Sequence, residues 1–237
     1  IETIFMPKYI LGIESSCDDT SAAVLRDNVV LSNIIANQQV HKDYGGVVPE
    51  LASRAHQQNI IPVIDKAIKT ANISKNDLDA IAYTRGPGLL GSLLVGSSFA
   101  KALSLGLGIP LIEVNHLKAH ILSHFVVQEN SIRKLPSFPF LCLTVSGGHT
   151  QLIKVSDFDT MEIIGQTIDD AAGEAFDKAA KLLEVGYPGG PEISKLASQF
   201  NATSVGEEKI NLPRPMIYSP DFDFSFSGLK TAIRYEI

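Results

Sequence analysis

One order of secondary structure is predicted twice along this chain, and this repetition limits its fold more than any other feature. An apolar strand, a turn of small polar residues, a second strand, a tight turn, a third strand and a helix follow one another in each half. Two copies of one such plan predict two related α/β subdomains. The predicted strands are Tyr9–Glu14, Ser21–Arg26 and Val29–Gln38 in the first half, and Phe140–Val145, Gln151–Val155 and Met161–Gln166 in the second.

The helices are predicted from proline and glycine positions. A long helix should begin at Pro49, with the proline in its first turn, and Pro62 should kink or interrupt it. Another buried strand is expected at Asp79–Thr84, followed by R-G-P-G-L-L-G and a helix that ends near Leu105. In the second half, the corresponding helix should begin at about Asp170.

Paired α/β subdomains around a nucleotide cleft are the architecture of actin and the sugar kinases. We therefore predict an α/β fold of duplicated actin-like (ASKHA, ribonuclease H-like) subdomains, with the first at residues 8–135 and the second at 136–237. Only about a hundred residues are left for the second copy. The final segment predicts a helix without a stop signal, so the second subdomain is expected to be incomplete.

Charge and cysteine content exclude some classes of protein. The net charge of −6 argues against tight nucleic-acid binding through the overall field of the chain. Two cysteines do not make a disulfide framework, and a reducing cytoplasm is the expected setting. No apolar run is long enough to predict a membrane span, so no membrane association is expected.

Two histidines follow the apolar strand Pro110–Val114 at a spacing of four residues. On a helix, His116 and His120 would lie on one face, where two imidazoles can bind one metal ion. Zinc peptidases have H-E-x-x-H, whereas Leu117 follows the first histidine here, so metal binding without a peptidase base is indicated. His124 is about 12 Å of helix from His116 and cannot share its ion. Unrelated surface histidines remain the alternative.

Each half has a polar turn after its first strand. In S-G-G-H-T, Ser146–Thr150, two glycines would let backbone amides approach an anion such as a phosphate, although an ordinary hairpin turn is the favoured explanation for Gly-Gly alone. The equivalent first turn carries Glu14, Asp18 and Asp19. Carboxylates beside a phosphate act through a hydrated cation, and plain turn capping is the alternative.

Two further motifs in the second half suggest a nucleoside site. In D-D-A-A-G-E-A-F-D-K, Asp170, Glu174 and Asp177 are predicted on one helix face, where a carboxylate can accept both hydroxyls of a ribose. A solvated acidic face is the alternative. Y-P-G-G-P, Tyr187–Pro191, predicts a rigid turn against which a flat base could lie, or a simple loop.

Taken together, the motifs resemble one known family. L-G-I-E-S-S-C-D-D-T-S, G-G-V-V-P-E-L-A-S-R-A-H, R-G-P-G-L-L-G-S-L-L-V-G, N-H-L-K-A-H, V-S-G-G-H-T-Q-L, I-D-D-A-A-G-E-A-F-D-K, Y-P-G-G-P and F-S-F-S-G-L-K-T are similar, in this order, to the TsaD family, also called Kae or Gcp. The resemblance covers about Ile10 to Ile237 and looks bacterial. It implies an actin-like enzyme that transfers threonylcarbamoyl from threonylcarbamoyl-AMP to the adenosine 3′ of the anticodon in tRNA.

The resemblance also implies roles for individual residues. His116 and His120 would bind one divalent metal, namely iron, with zinc and magnesium as alternatives. Substrate or nucleotide, as threonylcarbamoyl-AMP or ATP/AMP, would be bound by Thr144, Val145, Ser146, Gly147 and Gly148, with Asp177 on the ribose, Gly190 at the adenosine, and Glu14, Asp18, His149, Glu174 and Ser194 as secondary candidates. No residue is evident as the general base.

The sequence departs from the family pattern in two respects, and alternative functions remain open. Many bacterial members have a histidine where Asn115 stands, and Asn115 is predicted to cap the helix instead. The family's third metal ligand, an aspartate, and a base-contacting asparagine are expected beyond Ile237, so this chain is expected to be inactive alone. The implied partners are tRNA and TsaB-like and TsaE-like proteins. The alternatives are a metal-dependent glycoprotein endopeptidase and a non-catalytic TsaB-like scaffold.

Overall fold

The computed structural model describes residues 6–37, 44, 46–129, 131–132, 134–200 and 210–237. The predicted end of the third strand, Gln38, lies outside the described residues. The chain divides into two compact units, which we call unit 1 (Ile1–Pro136) and unit 2 (Ser137–Ile237).

A six-stranded mixed sheet forms the centre of unit 1. The elements of this unit are β1 Tyr9–Glu14, β2 Thr20–Arg26, β3 Val29–Ala36, α1 Pro49–Thr70, β4 Ala80–Gly86, α2 Leu90–Leu107, β5 Leu111–Asn115, α3 His116–Leu122 and β6 Val127–Gln128. The strand order in the sheet is β5-β4-β1-β2-β3-β6, in which β1, β2 and β3 are an antiparallel meander and β4 and β5 run parallel to β1. The carboxyl ends of β1, β4 and β5 therefore meet at one edge of the sheet.

Helix α1 begins at Pro49, as predicted, but it is not interrupted at Pro62. A proline inside a helix removes one backbone hydrogen bond and costs about 3 kcal/mol. Three residues near Pro62 are almost fully buried in the core of unit 1, namely Ile60, Val63 and Ile64. Their burial offsets the cost of the proline, which is why the helix continues.

Helix α2 is apolar and 18 residues long, which corrects the expectation that no segment has the length and hydropathy of a membrane span. One face of it, with Ser92, Gly96 and Ala100, is buried inside unit 1, where α2 packs on α1 and β4. The small residues let this face of the helix approach these elements closely. Gly108, at φ +67°, ends α2 slightly later than the predicted Leu105.

Unit 2 repeats the predicted plan of three strands and a helix. Its elements are β7 Phe140–Val145, β8 Thr150–Val155, β9 Met161–Gln166, α4 Ala172–Leu182, α5 Gly189–Gln199 and α6 Ser227–Glu236. The sheet, β7-β8-β9, is an antiparallel meander. Helix α4 begins at Ala172 rather than Asp170, because Thr150 Oγ1 accepts the hydrogen bond of the Ala172 amide and fixes the start there. The repeated strand and helix order confirms the predicted α/β, actin-like fold class.

Asp169 holds the start of α6 to the segment before α4. Its carboxylate accepts hydrogen bonds from Ser225 Oγ at 2.5 Å, the Phe226 amide at 2.8 Å and Ser227 Oγ at 3.0 Å. Desolvation of the carboxyl opposes its ionisation, but these bonds outweigh it and lower the pKa of Asp169 to about 2. This carboxylate therefore acts as a structural clasp.

Candidate functional site

In unit 1, three neighbouring parallel strands bring polar side chains to one edge of the sheet. Glu14 ends β1, Thr84 lies near the end of β4, and His116 follows β5 directly. These residues and His120 line a cavity of about 460 Å³. Ligands in open α/β sheets bind beyond the carboxyl ends of the strands, so this edge is the expected place for a site.

The short helix α3 is positioned by its N-cap. Asn115 Oδ1 accepts hydrogen bonds from the amides of Leu117 at 3.0 Å and Lys118 at 3.1 Å, which confirms the predicted cap. The cap begins the helix at His116, so His120 follows one turn later on the same face.

The two histidine rings converge at their Nε2 atoms. His116 Nε2 and His120 Nε2 are 3.1 Å apart, and the rings stand almost perpendicular, at 88°. Two imidazole nitrogens that each bind one ion at about 2.0–2.1 Å are separated by about this distance. The pair therefore fits two ligands of a divalent metal. Within the described part of the chain, no group of three histidine, cysteine or acidic side chains is arranged to hold a metal ion, and His124 lies in the following 3-10 turn.

Glu14 lies behind His116, on the Nδ1 side of the ring. Its Oε2 is 3.1 Å from His116 Nδ1 and accepts a hydrogen bond from Thr84 Oγ1 at 2.5 Å, while Oε1 accepts from the Ser16 amide. Burial favours the neutral acid, but the bonds from His116, Ser16 and Thr84 prevail and lower the pKa of Glu14 to about 2. Glu14 is therefore a carboxylate at neutral pH, and both of its oxygens bind protein groups.

The turn after β1 is packed into unit 1. Ser15 and Ser16 are almost fully buried, and the Cys17 carbonyl accepts hydrogen bonds from Ser92 Oγ and His56 Nε2, each at 3.0 Å. Asp18 is only half-buried, at the outer part of the turn.

The thiol in this turn is a poor nucleophile. Partial desolvation of Cys17, together with the neighbouring carboxylates of Asp18 and Asp19, raises the pKa of its thiol to about 11. The thiol therefore stays protonated at neutral pH, which argues against cysteine chemistry in the turn after β1.

In unit 2, the S-G-G-H-T turn is open. Ser146 Oγ accepts hydrogen bonds from the amides of His149 at 3.0 Å and Gly148 at 3.3 Å, which closes the turn on itself. Gly147 and Gly148 are exposed, and a Cβ added at either would have no described atom within 4 Å. The glycine backbone is therefore accessible to a ligand, as a phosphate site requires.

The N-terminus of α4 lies directly against this turn. The Gly173 amide donates to the Ser146 carbonyl at 3.1 Å, and a Cβ on Gly173 would lie 2.8 Å from Gly147 Cα. A helix N-terminus favours an anion next to it. Of the two remaining candidates in this region, Val145 is exposed, whereas Thr144 is buried and its Oγ1 has no hydrogen-bond partner among the described residues.

The three carboxylates predicted on one helix face are divided between two environments. Asp170 precedes the helix, and Lys178 Nζ binds both Asp170, at 2.5 Å, and Glu174, at 2.9 Å. Asp177 instead accepts a hydrogen bond from the Gly189 amide at 2.7 Å. The prediction that all three share one helix face was wrong, because the helix begins only after Asp170.

Asp177 is joined to the glycines of Y-P-G-G-P. Gly189 begins α5, so the predicted turn is in part a helix start. A Cβ at Gly189 would lie 2.5 Å from Ala180 Cβ, which shows how closely α4 and α5 pack. Gly190 is half-buried beside this contact, and Ser194 is exposed one turn further along α5. The structure therefore places Asp177 and Gly190 in one region of unit 2.

Sequence reasoning missed the supporting residues Ser16, His56, Thr84 and Lys178. A usable signal existed for Thr84, because it ends a predicted strand just as Glu14 does, and adjacent parallel strands place such residues together. His56 lies inside the helix start P-E-L-A-S-R-A-H, where nothing in the local pattern indicates its partners.

The chain matches known proteins over most of its length. The family model of TsaD, tRNA N6-adenosine threonylcarbamoyltransferase, matches residues 29–237. A protein of this name from Porphyromonas gingivalis is 63% identical over 96% of this chain and 65% of its own length. Another, from Christiangramia forsetii, is 62% identical over 95% of this chain and 64% of its own. The chain thus spans slightly less than two thirds of the length of these relatives. By these matches, the chain belongs to the TsaD family, the tRNA N6-adenosine threonylcarbamoyltransferases.

Proposed function

We propose that this protein transfers threonylcarbamoyl from threonylcarbamoyl-AMP to the adenosine 3′ of the anticodon in tRNA. The observation that carries the proposal is the convergence of His116 Nε2 and His120 Nε2 at 3.1 Å in a member of the TsaD family. This arrangement supports a metal site in unit 1. Iron is the proposed ion, with zinc and magnesium as alternatives.

His116 and His120 would hold the metal through Nε2. A bound divalent ion would supply a Lewis acid that grips the threonyl carboxylate or polarises the carbamoyl oxygen. The side chains themselves contribute fixed positions, since the Asn115 cap sets the helix and Glu14 contacts the back of the His116 ring. Preorganised ligands lose less entropy when the substrate binds.

The nucleotide part of the substrate is proposed to bind in unit 2. The accessible backbone at Ser146, Gly147 and Gly148, next to the N-terminus of α4, suits a phosphate. Asp177 suits the ribose, because Gly189 fixes one carboxylate oxygen and orients the other. Gly190 suits the adenine, since its missing side chain leaves a flat backbone.

The proposed reaction is an acyl transfer. The exocyclic amine of adenosine attacks the carbamoyl carbon, the bond from that carbon to the phosphate oxygen breaks, AMP leaves, and one proton is released. Charge builds on the phosphate as AMP departs, and the exposed glycine backbone of the S-G-G-H-T turn together with the dipole of α4 would stabilise that charge. The target base would be turned out of the anticodon loop to reach the site.

The geometry favours neither alternative function. A peptidase needs a carboxylate that activates the metal-bound water, whereas Glu14 lies at Nδ1 of His116 and both of its oxygens bind protein groups. A scaffold such as a TsaB-like protein needs no converging histidines. Because the net charge is negative, the chain alone should bind tRNA weakly. We propose that TsaB-like and TsaE-like proteins assist tRNA binding in the cytoplasm.

Transfer of labelled threonine to tRNA by the native protein with its partner proteins tests the proposal. We expect His120→Ala to reduce the transfer rate at least about 100-fold, because one of two metal-binding nitrogens is lost. His124→Ala removes a histidine one turn further on and should retain activity. Equal activity of the His120→Ala and wild-type proteins, or metal-dependent glycoprotein cleavage without transfer, would refute it.

A further inference from the structure

We propose that Glu14 is a positioning residue for His116: it fixes the tautomer that carries its proton on Nδ1 and leaves the Nε2 lone pair facing His120. This inference rests on the proposed metal site and extends it. It assigns Glu14 to the metal-binding histidine rather than to a hydrated cation or a nucleotide.

The chemistry of the carboxylate determines the direction of the hydrogen bond. Glu14 Oε2 lies 3.1 Å from His116 Nδ1, and an ionised carboxylate only accepts hydrogen bonds. A lone pair on Nδ1 would face the negative oxygen at this distance and be repelled. The His116 Nδ1 atom therefore donates, and a neutral ring then has its lone pair on Nε2.

The second neighbour of Nδ1 is compatible with this assignment. Ser16 Oγ lies 3.2 Å from His116 Nδ1, and a hydroxyl can donate or accept. Only the carboxylate has a fixed role, so it decides the tautomer and Ser16 adapts as a second acceptor. The hydroxyl alone would leave both tautomers open.

Glu14 is itself held rigidly, as a positioning residue must be. The Ser16 amide donates to Oε1, and Thr84 Oγ1 donates to Oε2 at 2.5 Å, from the neighbouring parallel strand. The side chain is about one-third exposed, and His116 about one-quarter. With its oxygens bound in this way, Glu14 has little capacity left for a cation or a nucleotide.

The tautomer matters because the proposed metal-binding atom is Nε2. Metal-binding histidines usually donate their other ring N–H to a carboxylate or carbonyl, and loss of that partner typically weakens metal binding about 10–100-fold. Glu14 and His116 form such a pair from residues 102 positions apart in sequence.

The first test uses the wild-type, metal-free chain and needs no variant. Long-range proton–nitrogen NMR correlations of the His116 ring, at a pH where it is neutral, should show the proton on Nδ1. A ring protonated on Nε2 would overturn the proposal.

The second test measures zinc binding by calorimetry. Glu14→Gln cannot satisfy all three donors, because the amide has one oxygen and its NH₂ group must face either Ser16 N or Nδ1. We expect the zinc dissociation constant to rise about 10–100-fold. Glu113→Gln removes another surface carboxylate, which pairs with Arg85, and should leave the zinc dissociation constant unchanged. This control separates the effect of the His116 ring orientation from the effect of losing one negative charge.

The results distinguish failure of this inference from failure of the proposed function. If His120→Ala weakens zinc binding and Glu14→Gln does not, the histidines bind metal and only the role of Glu14 is refuted. If neither change affects zinc binding, the metal site itself is wrong. Circular dichroism verifies that each variant is folded. If Glu14→Gln does not fold, the NMR result on the wild-type protein alone decides whether the proposal holds.

Discussion

The turns that follow the first strand of each unit differ in what surrounds them. In unit 1, Ser15, Ser16 and Thr20 of the first turn are buried, and the turn's backbone and side chains bind His56 and Ser92 from the two long helices. In unit 2, Ser146–Thr150 closes mainly on itself and exposes two glycines. The same position in the repeated plan therefore serves as a support in one unit and as an open backbone surface in the other.

The difference has a consequence for where ligands can bind. A turn whose polar groups are already bound by the protein positions its neighbours, here Glu14 and through it His116. A turn whose glycines carry no side chain and expose their backbone can bind an anion itself. We therefore expect substitutions in the turn of unit 1 to change mainly the free energy of unfolding, and substitutions in the turn of unit 2 to change mainly nucleotide affinity.

The largest expected effect is at His56, whose side chain is fully buried. Its Nε2 donates to the Cys17 carbonyl, so its Nδ1 accepts from Thr20 Oγ1, at 2.7 Å. His56→Ala leaves a cavity and removes the partner of the buried Thr20 hydroxyl, while the Cys17 carbonyl keeps its hydrogen bond from Ser92 Oγ. The change should lower the free energy of unfolding by about 3 kcal/mol in urea titrations. His149→Ala, in the open turn, should cost less than about 0.5 kcal/mol. Equal losses would remove the contrast between the turns.

The second-largest effect on stability is expected when one of two glycines, one near each turn, is replaced by alanine. A Cβ at Gly88 would lie 2.8 Å from Ser16 Cβ and closer still to the Ser16 carbonyl oxygen, whereas one at Gly148 meets no described atom within 4 Å. Gly88→Ala should therefore destabilise the protein by about 2 kcal/mol, because backbone must move. Gly148→Ala should change stability by less than about 0.5 kcal/mol while weakening AMP binding, measured by calorimetry. Unchanged AMP binding would contradict the role of the open turn.

The smallest effect concerns the clasp at Asp169 in unit 2. Folding lowers the pKa of this carboxyl from 3.8 to about 2, so its contribution is complete above about pH 4 and is lost as the pH falls towards 2. Asp169→Asn cannot ionise and should flatten the pH dependence of stability in that range. Since Asp169 is exposed, the difference should be small and should shrink in 1 M salt. Identical slopes for wild type and variant would refute the clasp.

Several local features were predictable because their causes lie close together in the chain. The strands Tyr9–Glu14, Phe140–Val145 and Met161–Gln166 have the predicted bounds, since apolar runs between turn residues define them. The Asn115 cap and the helix start at Pro49 follow from a few neighbouring residues. The family resemblance also came from the sequence, and the matches to relatives confirm it.

Other features depended on partners far away in sequence and could not be read locally. The interruption at Pro62 does not occur, because burial of its neighbours outweighs a missing hydrogen bond. The start of α4 is set by Thr150, 22 residues earlier, and not by the two aspartates that precede the helix. In both places tertiary contacts override a local preference.

The sequence by itself determined that two histidines lie one helical turn apart and that two turns of small polar residues follow equivalent strands. Helical spacing and strand alternation depend only on neighbouring residues, so a pattern reveals them. Only the tertiary structure decided what each group touches. Parallel pairing of β1, β4 and β5 places Glu14, Thr84 and His116 together, and these long-range contacts distinguish a carboxylate that orients a histidine from one that binds a ligand.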